Sequence, residues 1–252
     1  MKVLVNGQLI EYKDEGKGKV IILLHGWGDQ LSTFDEIAKH LIRKYRVIRL
    51  DFPGFGGSPK PLDNWNVGTF ATLTSQFLQK LEVKDVYATI GHSFGGRVII
   101  KSVAENLLNP QRVVLIGAAG VRPHQDAKKA AYRVVAKVGK FITSIPGLRG
   151  TRQALRKKLY ESAGATDYLN AEGMQHTFRN TVNEDLLPYV HLMTQPTLLI
   201  WGENDDQTPV ADAYAMTNEL DDSELVVVEE AGHFVYREKS ELVMQKIDEF
   251  LK

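Results

Sequence analysis

Short runs of apolar residues recur along the chain, separated by segments in which apolar residues follow a helical period. A run without polar alternation is typical of a strand that is buried on both faces of a parallel sheet. Apolar residues at i, i+3, i+4 and i+7 predict amphipathic helices between these runs. The two patterns alternate, which predicts βαβ units and an α/β protein with a mostly parallel sheet. The strand-like runs lie at residues 20–24, 47–50, 86–90, 113–116, 197–201 and 225–228.

The amino terminus predicts an antiparallel hairpin instead. Val3 and Val5 alternate with polar residues, and Asn6-Gly7 is a two-residue turn signal before the return strand. The hairpin raises the number of predicted strands to eight. The helical periods that would cover the sheet lie at residues 34–42, 70–81, 98–103 and 242–251.

Residues 121–194 interrupt the alternation, because they contain helical patterns and no convincing strand. A near-regular helical period at residues 127–145 stops at Pro146-Gly147. We interpret residues 121–194 as a helical cap inserted into a core that consists of residues 1–120 and 195–252. The insertion follows the carboxyl end of a strand, where open α/β sheets bind ligands, so the cap would cover the binding site.

Composition excludes several classes of protein. The 252 residues include 31 Lys and Arg, 31 Asp and Glu, and no Cys. The lack of Cys excludes disulfides, thiolate zinc sites and a thiol nucleophile. The zero net charge provides no overall cationic bias for binding nucleic acid. The first residues turn polar before a signal sequence forms, so a cytoplasmic location is expected.

The zero net charge conceals two local imbalances. Residues 121–160 contain eleven Lys and Arg against one acid, whereas residues 203–241 contain twelve acids against two bases. The favoured interpretation of the basic segment is a solvated helix face on the cap. Contact with a membrane surface or an acidic ligand is the alternative.

The segment Gly91-His92-Ser93-Phe94-Gly95 matches the pattern G-x-S-x-G. It follows a predicted strand and precedes a helix, which is the context in which this motif exposes a serine hydroxyl on a sharp, strained turn. The amino terminus of the following helix favours negative charge near the serine. Ser93 is therefore the candidate nucleophile.

A serine nucleophile needs a base and an acid that orients the base. His233 follows the last predicted strand, and Asp205 and Asp206 follow the strand before it. The carboxyl ends of parallel strands meet at one edge of a sheet, so these residues belong at the same edge as Ser93. This predicts a Ser-His-Asp arrangement.

Over essentially the whole chain, these motifs resemble the α/β-hydrolase superfamily. Residues 25–28 (His-Gly-Trp-Gly) are similar to its oxyanion loop, residues 51–58 to its D-x-P-G-x-G-x-S loop, and the chain order Ser, Asp, His matches. The spacing G-x-x-D-x-x-x-P matches at Asp205, and Asp206 is the alternative acid if the loop is shifted. The resemblance implies the α/β-hydrolase fold, which has a mostly parallel eight-stranded sheet, helices on both faces and a small helical cap.

The resemblance also implies a division of roles. Ser93 attacks a carbonyl carbon, His233 accepts the serine proton and returns it to the leaving group, and Asp205 orients the imidazole. The backbone N–H groups of Trp27 and Phe94 bind the oxyanion. This chemistry requires no cofactor, and the sequence shows no spacing typical of a metal site.

The substrate pocket is less sharply indicated than the catalytic residues. We interpret His25 and His92 as structural residues near the nucleophile rather than as bases. For each candidate pocket residue in the cap, packing of the cap on the core is the favoured alternative. The candidates are His176, Phe178 and Phe234, with Tyr168 and Met174 beside the first two.

The favoured function is hydrolysis of a small-molecule carboxylic ester through an acyl-enzyme. A carbon–carbon bond hydrolase acting on a diketone is one alternative, with which residues 95–97 (Gly-Gly-Arg) are compatible, although Asp29 departs from the loop typical of that group. The same residues are compatible with a cofactor-free perhydrolase, with a ligand receptor of hydrolase fold, and with a peripheral membrane protein that binds through its basic segment. The sequence indicates neither the substrate nor the oligomeric state.

Overall fold

The computed structural model describes residues 1–122 and 173–252. The predicted cap helix at residues 127–145, Tyr168 and most of the basic segment lie outside the described residues. In the described ranges the predicted alternation of strands and helices is confirmed. The strands are β1 (Lys2–Val5), β2 (Gln8–Gly16), β3 (Val20–Leu24), β4 (Arg46–Leu50), β5 (Ala88–His92), β6 (Arg112–Ile116), β7 (Thr197–Gly202) and β8 (Ser223–Val228). The helices are α1 (Asp35–Leu41), α2 (Val67–Lys80), α3 (Phe94–Ala104), α4 (Gln175–Asn183), α5 (Leu187–Val190), α6 (Val210–Glu219), α7 (Val235–Glu238) and α8 (Ser240–Phe250).

These strands form one eight-stranded sheet in the order β1-β2-β4-β3-β5-β6-β7-β8. β2 pairs antiparallel with β1 and with β4, and the other pairs are parallel. The mostly parallel sheet predicted from the sequence is therefore confirmed. The chain leaves β4 and continues as β5 on the opposite side of β3, so the strand order reverses at β3. Open α/β sheets bind ligands beyond the carboxyl ends of the strands at such a reversal.

The β1–β2 hairpin closes on the turn that the sequence predicts. Val5 pairs with Gln8, so Asn6 and Gly7 are the two loop residues. Their φ angles are positive, at 46° and 81°. Two successive positive φ angles are typical of the type I′ turn, whose twist matches that of the flanking strands.

Hydrophobic side chains cover both faces of the sheet. In β3, Ile22 and Leu24 belong to one hydrophobic cluster, and Ile21 and Leu23 belong to the other, as the two-residue period of a strand requires. Residues of α2, α3, α5 and α6 complete the first cluster, and residues of α1, α7 and α8 complete the second. The unbroken apolar runs in the sequence thus reflect strands buried on both sides.

Two elements differ from the sequence prediction. β5 lies two residues further along the chain than predicted, because Gly91 and His92 pair with Leu115 and Ile116 of β6 despite their low apolar character. Helix α6 is not predicted by the pattern. Its buried residues are Ala213 and Met216, so its apolar stripe is too narrow to produce a clear helical period.

Asn66 caps α2, and its removal is expected to weaken the fold. Its side-chain oxygen accepts the backbone N–H of Thr69 at 2.9 Å, which pairs one of the amides that a helix start leaves without an acceptor. Asn66 is exposed, so Asn66→Ala leaves no buried cavity. We expect the free energy of unfolding to fall by about 1 kcal/mol, seen in urea as a lower midpoint with an unchanged slope. Asn66→Asp keeps an acceptor and is the control; an equal loss in both variants would contradict capping.

Candidate active site

Ser93 lies on a strained turn between β5 and α3. Its φ of 49° and ψ of −110° put a residue other than glycine in a region that costs about 1–3 kcal/mol. The backbone holds it there from both sides. The Ser93 N–H donates to the carbonyl of Ile116 at 3.0 Å, and the Ser93 carbonyl accepts the N–H of Ala119 at 3.0 Å. The turn is therefore clamped by the end of β6 and the residues that follow it.

Gly91 and Gly95 flank this turn where segments approach too closely for a side chain. A Cβ at Gly95 would overlap the backbone carbonyl of Leu24, and a Cβ at Gly91 would lie 2.7 Å from the backbone of Gly95. Both distances are shorter than packed carbon atoms allow. The glycines therefore let the start of α3 sit directly against the end of β3, where the oxyanion loop begins.

His233 and Asp205 meet at this edge of the sheet. His233 Nδ1 lies 2.8 Å from Asp205 Oδ2, and both residues are buried. Asp206, the alternative acid, is exposed, and no hydrogen bond among the described residues joins it to His233. The geometry thus selects Asp205 over Asp206 as the partner of His233.

Four donors hold the Asp205 carboxylate. Oδ1 accepts the amides of Gln207 and Thr208, each at 2.9 Å, and Oδ2 accepts Thr208 Oγ1 at 2.8 Å together with His233. Burial raises the pKa of Asp205, but the hydrogen bond and charge of His233 and the Thr208 donors outweigh burial, so the pKa lies below its ordinary value. An ionised Asp205 accepts the Nδ1–H of His233, which leaves Nε2 as the basic nitrogen.

The amides of Trp27 and Phe94 are oriented by the peptide units to which they belong. In a planar trans peptide the N–H and C=O groups point in opposite directions. His25 Nδ1 holds the Gly26 carbonyl at 2.7 Å, and amides of α3 and of the segment after β6 hold the Ser93 carbonyl. The N–H groups of the same two units, on Trp27 and Phe94, therefore face away from these partners. Within the described residues neither amide donates to another protein group.

Two buried histidines connect the loops of the site. His25 accepts the N–H of Phe52 at Nε2, at 3.0 Å, so both of its nitrogens bond to backbone, and burial lowers its pKa. His92 Nε2 donates to the carbonyl of His233 at 3.0 Å. Burial, followed by the charge of His233, lowers the pKa of His92 to about 3. Both rings are therefore neutral connectors between loops.

Ser93 and His233 line one cavity of about 700 Å³ at the carboxyl edge of the sheet. Among the predicted pocket residues, Phe234 and Met174 also line it. Phe178 stands behind the wall, with its ring 5.1 Å from that of Trp27. His176 is exposed and is absent from the described lining.

Five polar residues of the cavity wall are not predicted from the sequence. They belong to loops whose polar character looks like ordinary surface. Their one signal is closeness in sequence to the motifs or strand ends of the site. They are Asp29, Gln30, Lys60, Gln207 and Arg237.

An ion pair joins two loops at the rim of this cavity. Arg237 Nη2 lies 2.8 Å from Asp29 Oδ2, and Thr33 Oγ1 donates to the same oxygen at 2.7 Å. Thr33 also bonds to the hydroxyl of Tyr236 at 2.7 Å. The segment after the oxyanion loop is thus tied to α7, which begins two residues after His233.

Neither a metal site nor a membrane span is found in residues 1–122 and 173–252. These residues contain no group of three or more His, Asp or Glu side chains arranged to hold a metal ion. None of the helices described there has the length and apolar character needed to cross a bilayer.

The sequence matches one family model over most of its length. Residues 21–245 match the model described as the alpha/beta hydrolase family. Among curated proteins, 2-hydroxy-6-oxo-6-(2'-aminophenyl)hexa-2,4-dienoic acid hydrolase from Metapseudomonas resinovorans is 25% identical, over 95% of this chain and 86% of its own.

Solved structures show the same architecture. A membrane phospholipase A, described as a bacterial virulence factor, superposes with a TM-score of 0.78 at 25% identity, over 100% of this chain and 84% of its own. An esterase from Exiguobacterium antarcticum superposes with a TM-score of 0.77 at 22% identity, over 99% of this chain and 98% of its own. The likeness to the esterase supports the fold alone.

Proposed function

The chain belongs to the alpha/beta hydrolase family, and from this premise we propose that it is a serine hydrolase that cleaves carboxylic esters of small molecules. Ser93 is the nucleophile, His233 the general base and acid, and Asp205 the group that orients the imidazole. One observation carries the proposal: a strained serine and a histidine bonded to a buried carboxylate line the same cavity. This is the combination that nucleophilic acyl transfer needs.

The reaction proceeds in two halves. Ser93 Oγ attacks the ester carbonyl carbon while His233 Nε2 takes the hydroxyl proton, and Asp205 stabilises the imidazolium that forms. The amides of Trp27 and Phe94 donate to the oxyanion of the tetrahedral intermediate. His233 then returns the proton to the departing alcohol, which leaves an acyl group on Ser93. Water, deprotonated by His233, releases the acid by the same steps.

A second candidate is hydrolysis of a carbon–carbon bond in a diketone-like substrate. Its support is the likeness to a relative named as a dienoic acid hydrolase. Arg97, which makes this candidate compatible with the sequence, does not add to that support. Its guanidinium is buried and donates to the backbone carbonyls of Glu184 at 2.8 Å and Val182 at 3.4 Å, and it is not among the described residues that line the cavity.

Ester turnover and covalent labelling test the proposal together. The purified protein is incubated with a fluorophosphonate, and the modified residue is mapped by mass spectrometry; p-nitrophenyl esters of increasing acyl length are assayed in parallel. We expect sustained turnover and an adduct on Ser93. An adduct on another serine would refute the assigned nucleophile. A single burst without further turnover would indicate a receptor, and cleavage of a 2-hydroxy-6-oxo-dienoic acid without ester cleavage would favour the second candidate.

A further inference from the structure

We propose that Thr208 is a positioning residue for the site proposed above. Its hydroxyl, rather than its volume, holds the Asp205 carboxylate in the orientation that His233 requires. The inference deepens the proposed function and rests on it.

Thr208 is buried at the centre of a polar cluster. Its Oγ1 lies 2.8 Å from Asp205 Oδ2, 3.1 Å from the carbonyl of Gly117 and 3.3 Å from His233 Nδ1. A hydroxyl has one proton to donate. The nearer, charged acceptor makes the stronger hydrogen bond, so the proton goes to Asp205.

The hydroxyl solves a geometric problem of the carboxylate. Without Thr208 Oγ1, the partner of Asp205 Oδ2 would be His233, which is the group that Asp205 has to orient. With it, the carboxylate has a donor on Oδ2 that is independent of the imidazole. That donor is anchored next to the end of β6, because its oxygen lies within hydrogen-bond distance of the Gly117 carbonyl.

The backbone of Thr208 is held separately from its side chain. The Thr208 N–H donates to Asp205 Oδ1 at 2.9 Å, and the Thr208 carbonyl accepts Trp201 Nε1 at 2.8 Å. A change of side chain therefore leaves both backbone anchors in place. This allows the role of the hydroxyl to be tested apart from the course of the loop.

Two substitutions separate positioning from packing. Thr208→Val keeps the shape and removes the hydroxyl, whereas Thr208→Ser keeps the hydroxyl and removes a methyl group. A packing role predicts that Val is tolerated better than Ser. Positioning by the hydroxyl predicts the reverse order. If Thr208→Val does not fold, as judged by thermal melting, Thr208→Ser is compared with Thr208→Ala, which differs from it by the hydroxyl alone.

The first readout is steady-state hydrolysis of a p-nitrophenyl ester. For Thr208→Val we expect kcat to fall about tenfold with little change in KM, since a hydrogen bond to a charged group is lost at the orienting acid. For Thr208→Ser we expect kcat within about twofold of the wild type. Wild-type kcat in Thr208→Val, or an equal loss in Thr208→Ser, would overturn the inference.

The second readout does not need turnover. The Nδ1 proton of His233, bonded to Asp205, is followed by low-field proton NMR in the wild type and both variants. We expect the wild-type resonance in Thr208→Ser and a displaced or broadened one in Thr208→Val; identical spectra would overturn the inference. Absence of a fluorophosphonate adduct on Ser93 of the wild type refutes the proposed function instead, and the NMR comparison then decides the role of Thr208 alone.

Discussion

Ser93→Ala is expected to lower kcat for ester hydrolysis about 10⁶-fold, because the group that forms the acyl-enzyme is removed and the remaining members of the site cannot replace it. The turn itself should persist, since its clamps are backbone hydrogen bonds to Ile116 and Ala119. Substrate binding should therefore change little. The measurement is the initial rate on the best ester of the panel, together with the affinity for a non-hydrolysable analogue.

Ser223→Ala is the matched control for this change. Ser223 begins β8, at the amino edge of the sheet and thus at the opposite edge from Ser93. We expect the rate of this variant to stay within about twofold of the wild type. A Ser93→Ala protein that retained a substantial part of the wild-type rate would show that Ser93 is not the nucleophile.

Asp205→Asn is expected to lower kcat about 10⁴-fold. The backbone amides of Gln207 and Thr208 both donate to Oδ1, so the amide oxygen of Asn would occupy that position and its NH₂ group would occupy the position of Oδ2. That NH₂ would donate to His233 Nδ1 and force the ring proton onto Nε2. A protonated Nε2 cannot accept the proton of Ser93, and the charge that stabilises the imidazolium is also lost.

The neighbouring acid provides the control for Asp205. Asp206→Asn removes one negative charge from the same loop, but Asp206 is exposed. We expect its kcat to stay within about twofold of the wild type. A larger loss in Asp206→Asn than in Asp205→Asn would reassign the acid. Comparison of melting temperatures shows whether either change acts through folding.

The elements that the sequence predicts best are those with strong local periodicity. Buried strands such as β3 appear as unbroken apolar runs because both faces of the sheet are covered. The β1–β2 turn is predictable because Asn6 and Gly7 tolerate positive φ angles. Helix α6 lacks such a signal, since Ala213 and Met216 are its buried residues, and β5 extends to His92 because of its neighbour β6 rather than because of its own composition.

Candidate site residues divide in a similar way. Ser93 and His233 are predictable as candidates because each follows a predicted strand, and parallel strands end at one edge. Contacts between segments far apart in the chain have no such signal. The Arg237–Asp29 ion pair joins residues 208 positions apart, and the hydroxyl of Thr208 acquires its three neighbours only when the ends of β6, β7 and β8 lie side by side.

By itself, the sequence determined the class of fold, the edge of the sheet at which chemistry is expected, and a short set of candidate residues. It left two adjacent acids open. The tertiary structure alone decided between them, because the amides of Gln207 and Thr208 turn the loop so that Asp205, not Asp206, meets His233. The physical reason is range: periodicity and turn preference act within a few residues, whereas a hydrogen bond at 2.8 Å depends on the packing of strands that are distant in the chain.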